Sequence, residues 1–473
     1  LQTKQDVIAW LDEHQSRFTE MADQIWANPE LAWEEFKSSK LQADLLEAEG
    51  FEITWDVGGI STAFVAEWGQ GRPTLGFAGE YDALPGLSQT TQPSPQAVVE
   101  DGPGHGCGHN LLGTGCLAAA VAVAKWLEAT SQTGTIRYYG CPAEERGGGK
   151  VFMARAGAFD DLDAAFNYHP GQVTFACKGS AVAVNQLKFR FYGRAAHAGA
   201  FPHLGRSALD GVELMNVGVN YLREHVLDSV RIHYVITDGG QAPNIVPETA
   251  EVWYFVRAPK PHELAEVTER VRKIAQGAAM MTETQLEERF TGGLSSLLSN
   301  HTLADLQYEV MTFLGPIQFT DEERTFAQAI NDQFPPGTKE QILERIHVPD
   351  DAVIGSLSGD IFSSLDEGHT ASGSTDVGDL SWKTPLSMLR TACFPTGAPG
   401  HSWGVVAASG TSIGHKGMMY AAKVMALAAI DLIVDPDRLA AAQKEFEAQV
   451  AKTPYACPMP DDLQPPLHEH PYR

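Results

Sequence analysis

Residues 135–145 read TIRYYGCPAEE. The pattern predicts a strand over Thr135–Gly140 that delivers Glu144 and Glu145 at its carboxyl end. Upstream, an apolar helix over Leu112–Leu127 follows the Gly-rich segment His105-Gly-Cys-Gly-His109. Earlier still, Pro73–Gly79 is a short buried strand ending at Glu80-Tyr81-Asp82. Downstream, Ala164–Tyr168 is a strand that precedes His169. Strand, helix, strand in this order predicts an α/β fold with a mostly parallel sheet and helices on both faces. Such sheets bind ligands beyond the carboxyl ends of their strands, where these polar residues fall.

The flanking chain fits around that centre. Val7–Leu46 carries helical spacing, Phe51–Thr54 and Ala63–Trp68 read as strands, and Gly86–Gly104 reads as a loop. Near Ala183 the pattern changes. Strands over Val184–Tyr192, Val230–Thr237, Ala250–Val256 and about Thr284–Phe290 alternate with helices, one of them His262–Ala279. This order predicts an inserted α+β unit of split βαβ, ferredoxin-like form, suited to a lid or dimer surface. The expected division is a first catalytic part over 1–183, the lid over 184–294 and a second catalytic part over 295–473. Thr411–Leu432 reads as a long apolar helix, and the Pro-rich tail Thr453–Arg473 is expected to wrap a surface.

A formal net charge of −26 and a pI near 4.9 exclude a basic groove for nucleic acid. An anionic substrate would be repelled at long range and would need a local arginine or metal to hold it. No apolar run reads as long enough to span a membrane, and the first residues carry no export-signal pattern. The six cysteines include no short-spaced pair, so reduced thiols and a cytoplasmic location are expected.

Thiolate, imidazole and carboxylate close together are ligands for first-row divalent ions. The candidates are Cys107, His109, Glu145, His169 and His401, the last in the turn Gly397-Ala-Pro-Gly-His-Ser-Trp403. Two neighbouring ions can orient and deprotonate one water, with Glu144 beside them as proton acceptor. A solvated surface pair is the plainer reading of Glu144-Glu145, and placement between a strand and Gly147-Gly148-Gly149 argues against it.

GHGCGHN at 104–110, CPAEE at 141–145, NYHP at 167–170 and the His401 turn resemble the amidohydrolase branch of the two-metal aminoacylase and carboxypeptidase family, metallopeptidase family twenty. Supporting segments such as GEYDALPGLSQ, HAGAFPHLGRSALD and STDVGDLSWKTP extend the resemblance over nearly the whole chain. It implies a two-metal aminopeptidase/carboxypeptidase-like catalytic domain. Cys107 would bridge two ions, His109 and His169 would complete one, and Glu145 and His401 the other. Glu144 would be general base and then acid. His197 would polarise the scissile carbonyl in a neighbouring subunit's site. Asn244 and Arg257 would grip the substrate's carboxylate. The implied reaction is hydrolysis of N-acyl or N-aroyl amino acids, p-aminobenzoyl-glutamate foremost, with Mn2+ or Zn2+. The implied assembly is a homodimer, or a heterodimer with a related chain.

The chain departs from the wider family where the carboxypeptidase branch has His-x-Asp. Here Glu80-Tyr81-Asp82 stands there, and Asp82 is expected to orient a ligand. Asn110 replaces the Asp that many amidohydrolases carry after Cys-Gly-His. An aminoacylase or dipeptidase of the same family is the neighbouring reading. A non-catalytic partner chain would be expected to lose a donor, and a one-metal redox enzyme lacks its motifs.

Overall fold

The computed structural model describes residues 1–466 and 468. Its larger sheet has eight strands and is organised around Thr74–Glu80, in which every residue is buried. Gly134–Cys141 and Ala164–Gly171 flank that strand in parallel, and Leu386–Ala392 continues the parallel run beside Ala164–Gly171. Glu52–Trp55 and Phe64–Gln70 add antiparallel strands at one side. At the other side, Thr174–Ala176 pairs antiparallel with Leu386–Ala392 and parallel with Ile361–Phe362. Parallel strands buried on both faces need near-continuous apolar runs and helical crossovers, and the sequence supplies both.

The two faces are covered unequally. One carries the long helices His109–Thr130, His301–Leu314 and Ser412–Val434, with Lys4–Glu13 and Gln15–Ala27 outside them. The other carries the short helices Gly149–Arg155 and Val377–Ser381 and the tail around Tyr455–Leu463. The tail is held where Arg155 donates to the carbonyls of Pro460 and Leu463. Residues 467 and 469–473 of the expected wrap lie outside the described residues.

One expectation is corrected. His109–Thr130 and Ser412–Val434 are both long and apolar enough to cross a bilayer. They pack against each other in the core instead, where length and hydropathy serve burial on all sides. Close approach is built in: a Cβ on Gly113 would collide with the Glu80 carbonyl, so glycine lets this helix start directly over the end of the central strand.

Ala183–Tyr192, Arg231–Asp238, Thr249–Ala258 and Gln285–Leu294 form a separate antiparallel sheet. Ala208–Leu222 and Pro261–Thr282 cover one face and share a second core with it. The order is strand, helix, strand, strand, helix, strand. Beyond Leu294 the chain re-enters the larger unit, where Asp379 accepts from the Ser295 amide at 3.0 Å and its hydroxyl at 2.7 Å.

Candidate metal centre

Three turns and one strand end converge at the carboxyl edge of the larger sheet. Cys107 lies in the turn before the His109–Thr130 helix, and His109 is that helix's first residue. Glu144 and Glu145 follow the Gly134–Cys141 strand, and His169 lies near the end of Ala164–Gly171. His401 comes from the distant turn, in the left-handed region at φ +57. Hydrogen bonds lace these turns: the His401 backbone amide donates to the Gly106 carbonyl at 2.9 Å, and Gln172 Nε2 donates to the Ala398 carbonyl at 2.8 Å.

Three donor sets result among the described residues; one is Glu80, His109 and Glu144, and Cys107 joins the other two. Cys107, His109 and His169 offer ligand atoms within 4.8 Å of one another, and so do Cys107, Glu145 and His401. Cys107 belongs to both. Its sulfur is 3.3 Å from His169 Nε2, and Glu145 Oε1 is 3.5 Å from His401 Nε2.

The side chains behind these donors fix them. His109 Nδ1 meets Asp82 Oδ1 at 2.8 Å, and the other Asp82 oxygen accepts from the Glu145 amide at 2.9 Å. One carboxylate thus orients a donor of each set. His169 Nδ1 lies 2.7 Å from the Pro170 carbonyl, which turns its Nε2 toward Cys107. Glu35, fully buried, accepts from the Ala143 amide at 2.8 Å and holds the glutamate turn, where Ala143 has φ +59. Burial, reinforced by Asp82, pushes the Glu35 carboxyl up.

The donors fit a pair of divalent ions. His109 Nε2 and Glu145 Oε1 are buried without hydrogen-bond partners, a costly state that cation ligation relieves. Thiolate with imidazoles suits zinc by softness, and the carboxylate also admits manganese. Burial, then the charge of Glu145, pushes the Cys107 thiol up to about 12, so ion binding must displace its proton. Burial, then the charges of Glu80 and Glu145, raises Glu144 well above the usual carboxylate range.

Sequence reasoning missed a buried ion network beneath this centre. Lys150 sits 2.7 Å from Glu80 Oε1 and 2.6 Å from Asp376 Oδ1, with all three side chains buried. Burial pulls the lysine pKa down, but Asp376 and Glu80 overcome it and raise it above the ordinary value. Glu80 Oε2 is 3.3 Å from His109 Nε2, so the residue standing where the carboxypeptidase branch has histidine still faces the centre. The available signal was the charged residue closing Gly147-Gly148-Gly149-Lys150.

The structure does not bring the remaining three residues to this cluster. Among the described residues, no hydrogen bond or ion pair links His197, Asn244 or Arg257 to the five donors. His197 and Asn244 are exposed neighbours, joined by the Ala198 amide donating to the Asn244 carbonyl at 2.9 Å. His197 Nδ1 accepts from the amides of Gly199 and Ala200, each at 3.1 Å, which leaves Nε2 carrying the proton. Arg257 lies elsewhere, with Nη1 3.1 Å from Ser374 Oγ. Thr249 to Arg257 is an extended run of roughly 27 Å at about 3.4 Å per residue. Asn244 precedes that strand and Arg257 lies near its far end, so the two side chains are held well apart within one chain.

Residues 76–337 match the model of peptidase family M20/M25/M40. The chain belongs to that family. Membership makes it a hydrolase of amide bonds. It is 43% identical to the B component of p-aminobenzoyl-glutamate hydrolase from Escherichia coli (strain K12), over 98% of this chain and 99% of that one. It is 30% identical to the Xaa-Arg dipeptidase of Mus musculus, over 93% and 91% of the two chains. Among solved structures, an aminobenzoyl-glutamate utilization protein from Klebsiella pneumoniae aligns with TM-score 0.59 at 18% identity, covering 90% of this chain and 98% of the other. A Bacillus subtilis protein described as a dinuclear metal-binding peptidase of the M20 family aligns with TM-score 0.57 at 19% identity, covering 87% and 98%. The M20 fold is thus common ground.

Proposed function

We propose that this chain hydrolyses N-aroyl and N-acyl amino acids, p-aminobenzoyl-glutamate foremost, with two Mn2+ or Zn2+ ions at the Cys107-centred site. The observation that carries the reading is Cys107 shared by two complete donor sets, with Glu144 beside them. The likeness to the Escherichia coli hydrolase supplies the substrate. When bound, the two ions would supply Lewis acidity toward the amide carbonyl and make a water easier to deprotonate.

The chain's own groups do the rest. Glu144 takes the proton from the attacking water and returns it to the leaving amine nitrogen. His197 Nε2–H donates to the carbonyl oxygen as negative charge develops there. The Arg257 guanidinium pairs with the substrate's α-carboxylate through two parallel bonds. The distance between Asn244 and Arg257 supports a dimer in which one protomer supplies His197 and Asn244 to the other's centre. A second copy or a related chain would serve, and a relative from Haemophilus influenzae is named as a homolog of the A component of the same hydrolase. A cytoplasmic, reducing setting agrees with the free thiols, including Cys107.

A dipeptidase reading is favoured by the 30% identity to the mouse Xaa-Arg enzyme. One panel separates the two. The metal-restored protein is assayed with p-aminobenzoyl-glutamate, hippurate and dipeptides ending in arginine. Release of p-aminobenzoate as the fastest reaction is expected; faster release of arginine would replace the first reading with the second.

A further inference from the structure

Arg390 is a half-buried arginine on the Leu386–Ala392 strand, in parallel register with His169. Register partners in parallel strands point to the same face, so its side chain shares the face of a metal-ligand candidate. Its path agrees. A Cβ on Gly171, two residues beyond His169, would lie 3.8 Å from Arg390 Cβ and 3.9 Å from Cδ. The side chain therefore fills the room that glycine leaves and leans toward the carboxyl edge, where the donor cluster sits. Burial first, and the Arg390 charge second, depress the His169 pKa, in keeping with that nearness.

Among the described residues, no carboxylate, hydroxyl or carbonyl meets the Arg390 guanidinium. Arg257 at least meets Ser374, and the buried Lys150 meets two carboxylates. An unpaired guanidinium is out of place in a chain of net charge −26, where acidic partners abound. Its five fixed donors match a carboxylate supplied from outside.

We propose that Arg390 binds the side-chain carboxylate of the substrate's amino-acid half and so sets a preference for N-acyl glutamates. This rests on the hydrolase reading above, with Arg257 holding the α-carboxylate. Two cations on different walls of the cleft would then read the two negative charges of a glutamyl residue.

The test compares the metal-loaded protein with Arg390→Met and Arg390→Lys. Steady-state rates are measured with p-aminobenzoyl-glutamate and p-aminobenzoyl-glutamine. Binding of glutarate and of its monoamide is measured by calorimetry. The unaltered chain is expected to favour the glutamate amide by roughly 10–100-fold in kcat/KM, the size of a charge-assisted hydrogen bond. Arg390→Met should remove that ratio through loss on glutamate alone and weaken glutarate about tenfold or more, with the monoamide unchanged. Arg390→Lys should recover part of both. Equal losses on both amides, or unchanged glutarate binding in Arg390→Met, would overturn the assignment. If the unaltered chain cleaves neither amide, the hydrolase reading falls, while the glutarate arm still decides the role of Arg390.

Discussion

The donor cluster of the larger unit and the polar residues of the smaller sheet are held in opposite ways. His109 is fully buried, its imidazole fixed by Asp82, and Glu145 is fixed by the same carboxylate. His197 and Asn244 lie at the surface, tied only through nearby backbone amides and carbonyls. The difference divides the work. In the proposed reaction the donors are fixed before substrate arrives, which spares them reorganisation. The groups proposed to recognise substrate lie on a surface open to a second copy.

Removing the base tests the fixed half most severely. Glu144→Gln should lower kcat by about 10²–10⁴-fold with both ions retained. Elemental analysis beside the kinetics checks this, and loss of metal would move Glu144 into the ligand set. Lys150→Met should leave Glu80 and Asp376 buried without their cation and destabilise the fold by about 3–5 kcal/mol, read by denaturant unfolding. A neutral result would mean the network does not hold the centre from below.

His197→Ala tests the waiting half. A loss of about 10²–10³-fold in kcat is expected, with melting temperature and metal content unchanged. Mixing this variant with Glu144→Gln should restore part of the activity if the histidine acts across a dimer. No recovery would confine it to its own chain.

The join between the units gives the smallest effect. Burial pushes Asp379 up to about 6 against the bonds from Ser295 and Tyr455, which lower it. A carboxyl raised in the folded state favours folding fully below its unfolded value near 3.8, and that contribution is lost as pH rises through about 6. Asp379→Asn, compared with the unaltered chain, should therefore gain relative stability between about pH 4 and about pH 7, by no more than about 3 kcal/mol. Paired unfolding curves at the two pH values check the sign.

Much of the parallel sheet was legible because Thr135–Gly140 and Ala164–Tyr168 are short apolar runs that end in polar residues. The same runs placed Glu144, Glu145 and His169 at strand ends. Lys150 with Glu80 and Asp376 was not legible, since a buried ion pair leaves no periodic trace and its partners lie 70 and 226 residues away. The distance from Asn244 to Arg257 was hidden for another reason: 13 residues look close until most of them are extended. Arg390 drew no notice in the sequence, because sequence does not reveal which charges lack partners.

The lacing of the His401 turn to Gly106 has a consequence for how the molecule is made. A nascent chain presents Cys107 early, yet the second donor set cannot close until residue 401 has left the ribosome and docked. An ion held by Cys107, Glu145 and His401 would therefore be acquired only after that docking, whereas the set of Cys107, His109 and His169 is complete much earlier in the chain.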